Sequence, residues 1–130
     1  MESLKEFMDR HRADEEKSES FVDYLYSLLD KHDIENPADF YNKANISRQL
    51  WSSIISGKSH PSLNVCLKMV FAMKATNHEC KYLLKKAGFT LASSNPYALI
   101  IRYAIENKIY DIVEVNRLLE ENGYADSLIA

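Results

Sequence analysis

Ala44-Asn45-Ile46-Ser47-Arg48-Gln49-Leu50-Trp51-Ser52-Ser53-Ile54-Ile55-Ser56-Gly57-Lys58 holds a helix end, a sharp reversal and a second short helix in one continuous stretch. Asn45 is the pivot, because asparagine is one of the few residues besides glycine that tolerates the left-handed conformation a tight turn between helices demands. Ile46 then has the size and polarity to plug a core. Ser47 is placed to cap a helix running from about Arg48 to Ser56, and Gly57 stops it.

The residues before this stretch supply two more helices. One runs from about Ser20 to His32, with Ser20 as N-cap and Phe21, Leu25, Leu28 and Leu29 facing inward. The next opens on Asn36-Pro37, a cap followed by proline at the position where its missing N–H costs nothing, and ends near Asn45. Phe40, Tyr41 and Ala44 form its apolar side. Such a helix pair with a tight connection crosses steeply, and its second member can protrude.

After the stretch, Pro61-Ser62 opens a helix in which Leu63, Cys66, Leu67, Val70 and Phe71 keep the helical rhythm. Thr76-Asn77-His78-Glu79 reads as a capping box at the start of a helix that ends at Gly88. A polar link, Ala92-Ser93-Ser94, leads to Asn95-Pro96 and a helix carrying Leu99, Ile100, Tyr103 and Ala104. Asp111 through Glu114 reads as another capping box, with Tyr110 and Val115 as a hydrophobic staple, before Leu118, Leu119 and Gly123. No window alternates polar and apolar residues as a strand would. The expected fold is all-α: five helices over 20–91 and a C-terminal helical hairpin over 92–130, after a charged N-terminal arm over 1–19.

In that arm Asp14-Glu15-Glu16-Lys17 is the most polar stretch, although Leu4, Phe7 and Met8 suit one face of a short helix. Composition favours a solvated arm over a partner-binding helix, and no function is assigned to it. In the hairpin, Ile100, Ile101, Tyr103, Ile105, Ile109, Ile112, Val113 and Val115 outnumber what two helices readily hide against one small core. A homodimer through this hairpin is the expectation, set against completion of the monomer core.

The chain has 130 residues, 46% hydrophobic and 27% charged, the balance of one folded domain. No apolar run approaches membrane-spanning length, and Met1 to Glu6 has neither the basic start nor the apolar core of a secretory signal, so a cytoplasmic protein with no membrane contact is expected. Cys66 and Cys80 fall on apolar-periodic stretches and read as reduced core residues. The net charge is −3, but between Lys43 and Lys86 eight cations stand against Glu79 alone, a basic island in an acidic chain.

Ala44 to Lys58, followed by Pro61-Ser62-Leu63, resembles the helix-turn-helix of the Xre and lambda-repressor family. There a small residue, a turn, a hydrophobic residue and a Ser or Thr cap precede the recognition helix, a Gly-Lys pair ends it, and Pro-Ser-Leu starts the next. The likeness covers roughly Phe21 to Gly88 and is most specific from Ile46 to Leu63. It implies a sequence-specific regulator that reads the major groove of duplex DNA with the helix starting at Ser47. Arg48 and Gln49 match the positions that reach base edges, Ser52 and Ser53 lie further along, and Lys43 and Lys58 suit phosphates. The chemistry fits, since arginine grips guanine O6 and N7 and glutamine pairs with adenine N6 and N7. Trp51 and Ile54 or Ile55 read as structural, with Trp51 packing the recognition helix onto helices one and four of the domain; Leu50 is open to either role.

The stretch from Tyr41 to Gly123 also resembles a helical module attached behind macrodomain-like and other catalytic domains in bacterial proteins. The alternative that follows is an interaction module keeping the helix-turn-helix shape while binding a protein, as an antitoxin, an inhibitor or an accessory subunit. An enzyme is not expected. His11, His32, His60 and His78 have no metal spacing and no nameable partner, so each reads as a surface residue, and no phosphate loop or nucleophile elbow occurs. No cofactor or metal is expected either, and a negatively charged monomer would bind DNA weakly unless a dimer doubled its contacts.

Overall fold

The computed structural model describes residues 1–17, 19–92 and 94–130, the side chains of 11–17 excepted. Among the described residues the chain forms eight α-helices and no strand: α1 (Leu4–Lys17), α2 (Phe21–Lys31), α3 (Pro37–Lys43), α4 (Arg48–Ile55), α5 (Leu63–Met73), α6 (Asn77–Lys86), α7 (Pro96–Glu106) and α8 (Ile112–Glu121). A short 3-10 turn follows at Ala125–Ser127. None of these helices is long and apolar enough to cross a membrane.

Local chemistry starts these helices where the sequence reading places them. Ser20, Asn36, Ser47, Ser62, Thr76 and Asn95 each accept a backbone N–H from the first turn of the helix they precede. Thr76 and Glu79 complete the capping box: the Thr76 hydroxyl accepts from Glu79 N and the Glu79 carboxylate from Thr76 N. The box expected at Asp111 does not form. Asp111 accepts from Val113 N instead, and Glu114 turns outward to Arg117, which also bridges Glu121 one turn on. The cation at i+3 offers the carboxylate a partner that competes with the backbone.

Helix ends follow one rule. After α2, α3, α5, α6, α7 and α8 a left-handed residue (Asp33, Asn45, Lys74, Gly88, Lys108 or Gly123) turns the chain. The next N–H then reaches back to a carbonyl in the last turn, as Ile34 does to Leu29, Ile46 to Tyr41, Phe89 to Leu84 and Ile109 to Ala104. This is the Schellman arrangement, and the residue making the long bond is repeatedly apolar, so each reversal also pins a side chain on the body.

α5 is the centre of the molecule. Val65, Cys66, Leu67, Met69, Val70, Phe71, Ala72 and Met73 are all buried, so it is enclosed on nearly every side rather than being the one-faced helix its periodicity predicts. α3 and α6 pack against it, α2 lies on α6, and α7 contacts both α6 and α8. Cys66 and Cys80 are free and buried, and burial pushes both thiols up to about 12. They are thiols at neutral pH, without the thiolate that metal binding or nucleophilic attack needs.

Two long-range contacts were not expected. Glu79 is 2% exposed; its Oε1 takes the Thr76 N–H and lies 2.9 Å from His32 Nε2, while Oε2 faces Lys31 Nζ at 2.9 Å. Burial alone would push this carboxyl up, but the Thr76 N–H, Lys31 and His32 outweigh it and hold the group at about 2. His32 is therefore not a plain surface histidine, because folding brings a carboxylate from 47 positions away to its ring. The second contact is at the C-terminal end. The Asn116 side-chain amide accepts Ile129 N and donates to Ile129 O, both at 2.7 Å, and Asn64 donates to Leu128 O. Ile129 is fully enclosed as a result.

The apolar residues of α7 and α8 divide. Ile101, Ile105 and Val115 are buried, and Ile100, Ile109 and Ile112 pack half-buried against the core, so most of this set completes the single chain. Leu99, Tyr103 and Val113 stay exposed. In the N-terminal segment Leu4 to Lys17 is helical, with residues 1–10 exposed throughout. The side chains of Asp14-Glu15-Glu16-Lys17 and His11, and Ser93 of the polar link, lie outside the described residues.

Candidate nucleic-acid interface

The turn between α3 and α4 is built from backbone bonds. Asn45 has φ +55°, its N–H donates to Asn42 O at 3.1 Å, and Ile46 N donates to Tyr41 O at 2.8 Å. Ile46 drops into the core, and the Ser47 hydroxyl accepts Leu50 N at 3.1 Å to start α4. The hydroxyl oxygen serves the cap, which leaves Ser47 its proton to donate outward.

α4 is divided sharply into two sides. Trp51 and Ile54 are buried and Leu50 is half-buried against the core. Trp51 meets the rings of Phe40, edge-on at 5.8 Å, and Tyr41 at 5.6 Å. Its ring partners sit in the helix immediately before it, which the expected packing onto helices one and four of the domain did not include: the reversal at Asn45 folds α3 back onto α4. On the other side Arg48, Gln49 and Ser52 are exposed, at the spacing that puts them on one arc of the helix.

Ser53 lies at the edge of that arc, half-buried, with its carbonyl taking Ser59 N and the Ser56 hydroxyl. Lys58 follows the left-handed Gly57, and Lys43 ends α3; both are exposed. Lys43, Arg48 and Lys58 make no ion pair among the described residues. Lys43 shares a hollow of about 300 Å³ with Asn45, Lys68 and Asp111, and Asp111 there partly offsets its field. Exposed Asn42 and Asn45 stand beside Lys43 and add amide groups that the sequence reading did not include; their position on the turn before the cap is the signal for them.

The sequence stretch that holds the candidate interface carries exposed charge of one sign. Glu79, the only acid between Lys43 and Lys86, is buried and neutralised by Lys31, so the exposed charge of that whole stretch is positive. Lys86 is committed elsewhere: its ammonium donates to Glu19 O at 2.7 Å and lies over the Tyr24 ring. Among the described residues no group of three or more His, Cys, Asp or Glu side chains could hold a metal ion. No family model, curated protein or solved structure matches the chain.

Proposed function

We propose that the chain is a helix-turn-helix regulator that binds duplex DNA in a sequence-specific manner, entering the major groove with α4. The observation that carries this reading is the two-sidedness of α4: Trp51 and Ile54 anchor it while Arg48, Gln49 and Ser52 are held outward on one arc. In this reading α2 to α6 form the five-helix domain, α7 and α8 the hairpin behind it. Arg48 and Gln49 read base edges, Ser52 and Ser53 add contacts along the groove, Ser47 donates its hydroxyl proton at the helix start, and Lys43 and Lys58 hold phosphates. The chemistry of the arc suits the task, since one guanidinium and one carboxamide recognise different bases and neither is needed by the fold.

Selection of bound duplexes from a randomised pool tests it. The wild-type chain should enrich one motif, Arg48→Ala and Gln49→Ala should each erase preference at particular positions, and Lys58→Ala should weaken all duplexes alike. Failure of the wild-type chain to enrich any sequence, at low as well as moderate salt, would remove the reading in favour of a module that docks on protein.

A further inference from the structure

On the side of α6 away from α2, an open groove of about 610 Å³ runs between α6, the connection after it and the middle of α7. Its apolar lining is Leu84, Phe89, Leu91 and Ile101, and Lys81, Lys85 and Arg102 stand along it as exposed cations. No acid lines it. An apolar trough edged by one sign of charge is the shape that receives an amphipathic helix of the opposite sign.

The chain itself carries such a helix. On α1, Leu4 (74% exposed), Phe7 (47%) and Met8 (60%) lie at i, i+3 and i+4, one apolar face turned to solvent. Residues 2–17 contain six acids against four Lys or Arg, and Arg10 is already committed to Glu2, whose two carboxylate oxygens take its Nε and Nη2 at 3.0 Å each. In sequence the last turn of α1 carries three of these acids, Asp14-Glu15-Glu16, opposite in sign to the three cations of the groove.

We propose that this groove seats α1 of a second copy of the chain, the two copies exchanging their helices reciprocally. Glu19 is held by Lys86, whose ammonium lies over Tyr24 of α2, so α1 leaves the body on the α2 side of α6, across that helix from the groove. With Ser18 alone between Lys17 and Glu19, a copy's own α1 is poorly placed to fill its trough. A second copy's α1 has no such tether, and reciprocal exchange about a twofold axis closes the assembly at two. Both surfaces become covered in one step, the apolar face of α1 and the trough. The inference does not depend on DNA binding.

Sedimentation velocity of the full chain over a concentration series into the millimolar range tests it. The wild-type mass should rise from 15.0 kDa to twice that, and added salt should lower it. Leu4→Glu with Met8→Glu spoils the helix, and Lys81→Glu with Lys85→Glu spoils the groove; all four positions are exposed, so circular dichroism should be unchanged. Each double variant should associate about tenfold more weakly or worse, as loss of central anchors does. An equimolar mixture of the two should regain a heterodimer, weaker than the wild-type pair, because the intact helix of one meets the intact groove of the other and restores one of the two seats. A wild-type chain that stays monomeric throughout the series overturns the proposal, as does a dimer that either double variant leaves intact.

Discussion

Replacing Glu79 by glutamine should remove a large part of the stability of this fold, and in a pH-dependent way. The carboxylate is 2% exposed and bound by Thr76 N, His32 and Lys31, which hold it at about 2 against an ordinary 4.5. At about 1.4 kcal/mol per tenfold change in the proton equilibrium, a carboxyl so held contributes about 3 kcal/mol at neutral pH, a substantial share of the 5–15 kcal/mol typical of a domain. Because the folded value is the lower one, that contribution is complete above 4.5 and fades as pH falls toward 2. Urea unfolding followed by Trp51 fluorescence, for wild type and Glu79→Gln side by side, isolates it, since every other carboxylate is common to both. The gap should be near 3 kcal/mol at neutral pH and shrink steadily below 4.5, with Glu79→Ala worse because it also loses the cap. A neutral-pH gap well under ~1 kcal/mol, or one that does not narrow in acid, would refute the reasoning.

Other outcomes follow from single positions. Lys108 sits left-handed at φ +56° and is exposed, so Lys108→Gly should raise stability by about 0.5–1 kcal/mol in urea melts, the relieved strain exceeding the added freedom of the unfolded chain. Ile129→Ala should cost about 2–4 kcal/mol by thermal unfolding, because the side chain is fully enclosed. Trp51→Ala removes the packing that seats α4 on Phe40 and Tyr41 and should cost about 3–5 kcal/mol. Lys58→Ala should flatten the salt dependence of duplex binding by about 0.9 in log–log slope, which a fluorescence anisotropy titration at several salt concentrations would measure.

The helix starts were readable because each is written within four residues: a hydroxyl or amide at the cap, proline or a carboxylate just after, and the bonds that result are the ones observed at Ser20, Asn36, Ser47, Thr76 and Asn95. The ends were readable only at glycine or asparagine. Asp33, Lys74 and Lys108 turn the chain just as well, but nothing local marks them, because the left-handed conformation there is tied to burial of the apolar residue that follows. Contacts that join distant segments, His32 to Glu79 and Asn116 to Ile129, carry no sequence signal at all without the fold. The candidate interface sits at the favourable extreme. Its turn and cap are local, and the side that Arg48, Gln49 and Ser52 share is fixed by helical period once Trp51 and Ile54 are recognised as core. The half-burial of Ser53 escaped because it depends on Ser59 reaching back to its carbonyl.

The clasp that Asn116 places on Ile129 has a bearing on how the molecule withstands proteolysis. Two short bonds to one amide keep this plug seated over the apolar surface beneath it. A protease that cuts between α8 and Ile129 would release the plug and leave that surface open to self-association.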